Sequence, residues 1–380
     1  MDIHEEFTKW AVQKGVKING IAAHKFEGRG LGIIAEKKLK ANTTLLTVPL
    51  SALITASTLP KSITSAIPLS KTTVHNLLAT FLALDTSPSR APWHAVLPSH
   101  ASFRSSMPLL WPVSLQSLLP PQAASLLANQ QSKLSQDWSV ITATFPSLDY
   151  ENYLHGWLLV NTRTFYYVSP TSEKAPPKNR DDCMALNPFA DYFNHTAADI
   201  ACEVDFSATG YTVTTPVDVE QGEELYISYG SHSNDFLLAE YGFVIGGEGN
   251  QWDEVELDVY VLDIVSDRKK EALKKEGFLG HYVLDRETVC YRTQVALRLA
   301  CLPVGKWRRY VIGADGGEED QAKVDEVLLK VLRKYQADVV QKIKLVSSLK
   351  EGTADQKDTL SRRWKQIGVL LQSAIDRIQS

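Results

Sequence analysis

The chain has 380 residues, 44% of them apolar and 22% charged, with a net charge of −4. That length implies two or three folded units, or one core with a large insertion. The composition supplies an ordinary buried core and lacks the basic excess of a duplex-binding protein. No apolar run reaches the ~18 residues of a membrane span, and the acidic start Met1-Asp2-Ile3-His4-Glu5-Glu6 carries no signal-peptide core.

In chain order, residues 3–14 predict a short helix. Asp2 can cap it, and Ile3, Phe7, Trp10 and Ala11 share one face. Apolar β-like runs follow at 31–35, 45–48 and 53–55, punctuated by Gly28, Gly30, Gly32 and Pro49. From about 68 to 168 the apolar residues recur at helical spacing, as in Leu77, Leu78, Phe81 and Leu82, then Tyr153, Trp157 and Val160. Pro112, Pro120 and Pro121 interrupt these helices. Residues 169–181 lack apolar anchors and read as a mobile loop. Strand texture returns at 200–206, 211–215 and 225–229. After about 250 the chain is helical. Val324, Leu328, Val331, Tyr335, Val339 and Ile343 form one stripe, and Leu360, Trp364, Ile367, Leu371, Ala374 and Ile378 form another. A turn at 351–355 makes them an antiparallel hairpin, with Lys330, Arg333, Lys334, Arg362 and Arg363 read as outward charges.

Four cysteines, Cys183, Cys202, Cys290 and Cys301, fit neither a disulfide framework nor a zinc site. They read as reduced thiols, which implies a cytoplasmic and/or nuclear location and no metal.

Four stretches can carry chemistry. Gly28-Arg29-Gly30-Leu31-Gly32 places three glycines in five residues and allows close approach of a ligand, although by itself it reads as a turn. It lacks the pattern of a dinucleotide-binding loop and the lysine of a phosphate-binding loop. Arg163-Thr164-Phe165 ends a helical run, where an arginine beside aromatics is also a packing feature. The stretch 186–195 holds Asp191, Asn194 and His195 among bulky apolar residues. A metal reading through Asp191 and His195 lacks a third ligand at sensible spacing. The stretch 222–230 leads from a glycine turn through a strand to Tyr229, followed by Ser233-Asn234 and Tyr241-Gly242-Phe243.

Taken together and in this order, the stretches resemble the SET domain. GRGLG is similar to its glycine motif, DYFNH to its asparagine-histidine motif, and ISYG to its catalytic tyrosine motif. The continuation from Ser233 to Phe243 resembles the subgroup of the Rubisco large-subunit methyltransferase and the ribosomal-protein lysine methyltransferases. Motifs carry the resemblance over roughly 16–250, and texture alone over 251–380.

The resemblance implies an α+β chain: a β-rich SET fold with a pseudoknot, a helical insertion inside it, and an all-helical C-terminal domain. Residues 1–67 are then the N-terminal helix and first part of the core, 68–181 the insertion, 182–250 the second part of the core, and 251–380 the substrate-binding domain. It implies a protein-lysine N-methyltransferase that converts S-adenosylmethionine to S-adenosylhomocysteine. Tyr229 would be catalytic. Gly28, Arg29, Gly30, Leu31, Gly32, Arg163, Asn194, His195 and Tyr229 would hold the cofactor. Phe165, Asp191, Tyr241 and Phe243 would line the lysine channel. The partner is a protein bearing the target lysine, such as a ribosomal or translation protein, with no membrane and no direct nucleic acid. Many histone-directed relatives carry a cysteine-rich zinc segment after the core; only Cys290 and Cys301 lie there in this chain. Two alternatives compete: a non-catalytic binding module, against which the intact motif set argues, and protein-histidine methylation. The histidine branch has asparagine where this chain has Phe165.

The chemistry explains the residue types. The attacking amine must be neutral, and removing a lysine proton at pH 7 costs about 4.6 kcal/mol. A narrow apolar channel and a neighbouring sulfonium both disfavour the ammonium. Alignment of the reacting groups then does most of the remaining work.

Overall fold

A computed structural model describes residues 2–26, 30–169, 179–247 and 249–380. The chain divides into two compact units, residues 1–104 with 129–231, and residues 105–128 with 232–380. This division does not follow the four segments read from the sequence: residues 105–128 of the helical insertion group with the C-terminal part.

In the first unit, helix α1 (Ile3–Gln13) begins as expected, with the Asp2 side chain accepting from the His4 N–H. Phe7 and Ala11 are buried on it, whereas Ile3 is largely exposed. The strands are β1 (Lys17–Ile18), β2 (Ile21–Phe26), β3 (Gly30–Ala35), β4 (Thr44–Pro49), β5 (Thr164–Tyr166), β6 (Met184–Leu186), β7 (Asn194–His195), β8 (Glu203–Ser207), β9 (Gly210–Thr214) and β10 (Glu224–Ile227). One sheet runs β1-β4-β9-β8, and a second runs β2-β3-β10-β7. A hairpin pairs β5 with β6. Residues 53–55 form only a single bridge, Ile54 to Leu186, between short 3-10 turns, so the strand expected there is absent. The expected loop 169–181 lies largely outside the described residues; a 3-10 turn, Arg180–Asp182, closes its end.

Helices α2 (Val74–Leu84) and α3 (Tyr150–Arg163) pack closely in this unit. A Cβ on Gly156 would meet the Ala79 carbonyl oxygen at 2.5 Å, so glycine sets their approach. The Asp149 side chain caps α3, and Arg163 is its last residue.

The second unit holds helix α4 (Asn234–Tyr241), the short pair β11 (Val255–Glu256) with β12 (Val283–Leu284), and the long helices α5 (Gln321–Ser348) and α6 (Ala354–Gln379). The two apolar stripes face into one core with Trp111, Leu238, Tyr260 and Trp307. Arg363 corrects the sequence reading. It is fully buried rather than outward, and its guanidinium donates to Asp235 at 2.6 Å, Asp253 at 2.8 Å and the Glu254 carbonyl at 3.1 Å. A buried cation of this kind survives only when its donors are matched.

Candidate active site

Strand β10 assembles the site. It pairs antiparallel with β3, Leu225 opposite Ile33, and parallel with β7, Tyr226 opposite Asn194 and Ile227 opposite His195. The glycine-rich, asparagine-histidine and tyrosine stretches therefore lie side by side although they are far apart in the sequence. Tyr229 follows the end of β10. Its N–H donates to His195 Nδ1 at 3.0 Å, its hydroxyl donates to the Phe193 carbonyl at 2.7 Å, and its ring stacks on His195 with centroids 5.1 Å apart. Because Nδ1 accepts, the proton of a neutral His195 ring sits on Nε2. The Tyr229 hydroxyl hydrogen is engaged, so its oxygen keeps lone pairs to offer as an acceptor.

Asn194 ties the first and last stretches together. Its Nδ2 donates to the Leu31 carbonyl at 2.9 Å and to Glu224 Oε1 at 2.8 Å, while Glu224 Oε2 accepts from the Tyr226 hydroxyl at 2.7 Å. Gly32 makes room for this cluster. A Cβ there would lie 2.6 Å from Glu224 Oε1, 2.7 Å from Asn194 Nδ2 and 2.9 Å from the Phe26 ring. Gly30 has φ of +81°, a left-handed conformation that favours glycine. Gly28 and Arg29 lie outside the described residues.

Arg163 and Asp191 form a second cluster. Arg163 Nη1 donates to the Asp191 carbonyl at 3.0 Å and stands 3.6 Å from its carboxylate. Burial pushes the Asp191 carboxyl pKa up, and the Arg163 charge pulls it back. Phe189 adopts φ +77° and ψ −44° at the start of this turn, a costly conformation for a bulky residue. Helix α1 backs the turn: Phe7 stacks on Phe189, and His4 Nδ1 hydrogen-bonds the Tyr192 hydroxyl at 2.9 Å. Phe165, on β5, sets its ring edge-to-face with Tyr211, centroids 5.9 Å apart.

Tyr241 and Phe243 belong to the second unit. Their ring centroids are 6.3 Å apart, and burial raises the Tyr241 pKa to about 12. Gly242 between them has φ +79°, and a Cβ on it would meet the Ser106 backbone at 2.9 Å. Ile245, two residues beyond Phe243, is held from two sides: its N–H donates to Asn234 Oδ1 at 3.0 Å, and Gln366 Nε2 donates to its carbonyl at 2.6 Å. The supporting roles of Glu224, Phe193, His4 and Gln366 carried no sequence signal, since each depends on a partner distant in the chain. Among the described residues, no group of three or more His, Cys, Asp or Glu is placed to hold a metal ion.

The SET domain family model matches residues 30–230, which is more than half of the chain. The chain belongs to the SET-domain family. A second model, the ribosomal lysine N-methyltransferase 2 C-terminal domain, matches residues 253–377. SET domain-containing protein 4 of Mus musculus is 26% identical over 407 residues, covering 97% of this chain and 90% of the relative. Ribosomal lysine N-methyltransferase set11 of Schizosaccharomyces pombe is 25% identical over 366 residues, covering 92% and 91%. A solved structure of Rubisco LSMT bound to AdoMet superposes with a TM-score of 0.67 at 16% identity, covering 100% of this chain and 92% of that one. The α+β SET fold and the helical C-terminal region expected from the sequence are thus present. As a SET-domain protein with these relatives, the chain is a protein-lysine N-methyltransferase, and its cofactor is S-adenosylmethionine.

Proposed function

We propose that this SET-domain chain methylates a lysine of a ribosomal protein, with Tyr229 at the point of transfer. The observation that carries the site assignment is the double anchoring of Tyr229, on His195 through its backbone and on the Phe193 carbonyl through its hydroxyl. The acceptor class rests on the C-terminal family match and on the ribosomal lysine methyltransferases among the relatives. Such an acceptor places the work in the cytoplasm or nucleus.

The residues present fit the cofactor. Arg163 Nε is buried and meets no hydrogen-bond partner among the described residues, and a guanidinium suits the carboxylate of an amino-acid-bearing cofactor. Gly30 leaves open the space a Cβ would fill. Gly30, Leu31, Gly32, Arg163, Asn194 and His195 would hold the group, with Gly28 and Arg29 assigned by the motif. When bound, S-adenosylmethionine supplies an electrophilic methyl. The Tyr229 oxygen, its own hydrogen engaged, accepts from the amine and orients the nitrogen lone pair. Phe165 and Asp191 are assigned to the target lysine in the first unit, and the motif resemblance alone gives Tyr241 and Phe243 the same role: aromatic faces receive an arriving cation and disfavour water around it. The enclosed Asp191 carboxylate, held by Arg163, offers a counter-charge to it.

The test is incubation with labelled cofactor and ribosomes from a strain lacking the enzyme, followed by mass spectrometry. Label on a lysine of a ribosomal protein, lost with Tyr229→Phe, is expected. No label on any ribosomal protein would refute the ribosomal acceptor, and undiminished label with Tyr229→Phe would refute the assignment of Tyr229.

A further inference from the structure

The second unit contains a cavity of about 370 Å³, within the range of small-ligand sites. One wall is a face of α6, where Arg362, Lys365, Val369 and Arg377 follow one another at helical spacing; Asp253 and Arg286 also line the cavity. Among the described residues, four cations therefore share this concavity with one acid. That acid is already engaged: Asp253 accepts from the buried Arg363 at 2.8 Å and from the Asn234 N–H at 2.9 Å. Arg362 pairs with Asp358 one turn earlier on its own helix. Lys365 and Arg377 have no acid partner among the described residues. Their positive charge is left over in a chain whose net charge is −4.

We infer that this cavity docks an acidic segment of the methyl-accepting protein, carboxylates against Lys365 and Arg377 and an apolar side chain against Val369. The inference rests on the reading that the acceptor is a protein. The mixed lining decides the class of ligand. Val369 and Leu370 give a peptide side chain an apolar contact between cations, whereas a nucleic-acid backbone needs a longer basic track than one cavity provides. Charge here serves selection and orientation of the acceptor more than raw affinity.

The experiment uses the full chain and two labelled hexapeptides, one alternating leucine with glutamate and the other leucine with glutamine, followed by fluorescence anisotropy. The glutamate peptide should bind more tightly, and its binding should weaken with added salt. The double variant Lys365→Ser/Arg377→Ser should bind it about fivefold more weakly, while Lys365→Arg keeps the affinity. In methyl-transfer assays the double variant should raise KM for the ribosomal acceptor by a similar factor, with kcat and cofactor affinity unchanged. Equal binding of both peptides, an unaltered KM in the double variant, or displacement of the peptide by a single-stranded RNA would overturn the inference. Peptide binding that behaves as expected in a chain that transfers no methyl to ribosomes would refute the ribosomal reading and leave the cavity assignment standing. Transfer to ribosomes with no response of peptide or KM would do the reverse.

Discussion

Gly32→Ala is the sharpest probe of the cofactor side of the site. The glycine has ordinary backbone angles, so an added methyl costs nothing in conformation; its whole effect is steric. The new Cβ would stand 2.6–2.9 Å from Glu224 Oε1, Asn194 Nδ2 and the Phe26 ring. The first two atoms bond each other at 2.8 Å, and Asn194 Nδ2 also bonds the Leu31 carbonyl at 2.9 Å. Neither can retreat without breaking that cluster. Losing an amide–carboxylate bond costs about 1.5–3 kcal/mol, and losing a neutral bond about 0.5–1.5. A total of about 2–4 kcal/mol lowers the melting temperature of a domain of roughly 200 residues by about 5–15 °C. Cofactor affinity, measured by calorimetry below the new melting temperature, should fall about tenfold or more as Asn194 is displaced. A double-mutant cycle isolates the cause. In Gly32→Ala/Asn194→Ala the methyl fills space that Asn194 has vacated, so the combined loss should be smaller than the sum of the single losses. Strict additivity, or an unchanged cofactor affinity in Gly32→Ala, would show that Asn194 is not the route by which this glycine matters.

Tyr229→Phe keeps the ring stacked on His195 and removes only the hydroxyl, so kcat should fall at least ~100-fold while cofactor affinity changes little; unchanged turnover would place the chemistry elsewhere. Arg363→Met strands Asp235 and Asp253 in the core of the second unit and should cost about 3–5 kcal/mol in urea unfolding, largely recovered when both acids are changed to asparagine. Glu256→Gln reads pH. Burial, then neighbouring Asp258, raise the Glu256 pKa to about 7 from an ordinary 4.5. In the folded chain the carboxyl thus keeps a proton that the unfolded chain releases, and the stability it contributes is full below about 4.5 and lost as pH rises to about 7. The glutamine variant lacks this dependence, so its melting temperature relative to the parent should climb across that window; a constant difference would count against a half-buried, protonated Glu256.

How much of this was readable in advance depended on whether the signal was local. The α5–α6 hairpin was legible because an apolar residue every three or four positions is itself the cause of helix packing. The short strands around the site were legible for a similar reason, since Leu225 to Ile227 and Ile33 to Ala35 alternate or run apolar between glycine turns. Strand β2 is not legible in the sequence because His24 and Lys25 interrupt its pattern, and it forms through six paired positions with β3 rather than through its own composition. Residues 53–55 erred in the opposite direction. Leu53 and Thr55 are buried on either side of a half-buried Ile54, in the manner of a strand, yet the flanking backbone turns back on itself in 3-10 geometry, and only Ile54 finds a strand partner.

Arg363 shows why the remaining errors were of one kind. By helical spacing it sits beside Trp364, at the border of the apolar stripe, and a charged side chain at a border is ordinarily assigned to solvent. What reverses the assignment is a pair of carboxylates, Asp235 and Asp253, more than a hundred residues earlier in the chain. Nothing periodic encodes such a match; only the folded unit brings the three together. The same reasoning covers Asn194, whose amide is fixed by Glu224 and by the Leu31 carbonyl. Motifs therefore marked where the chemistry sits, because catalysis requires particular side chains there. The groups that hold those side chains still are set by three-dimensional complementarity, and any of several residue types could have met that need. For this reason two close-packed glycines differ in legibility: Gly32 belongs to a motif, while the need for glycine at 156 lies in the Ala79 carbonyl oxygen, 2.5 Å from where its Cβ would be and far away in the chain.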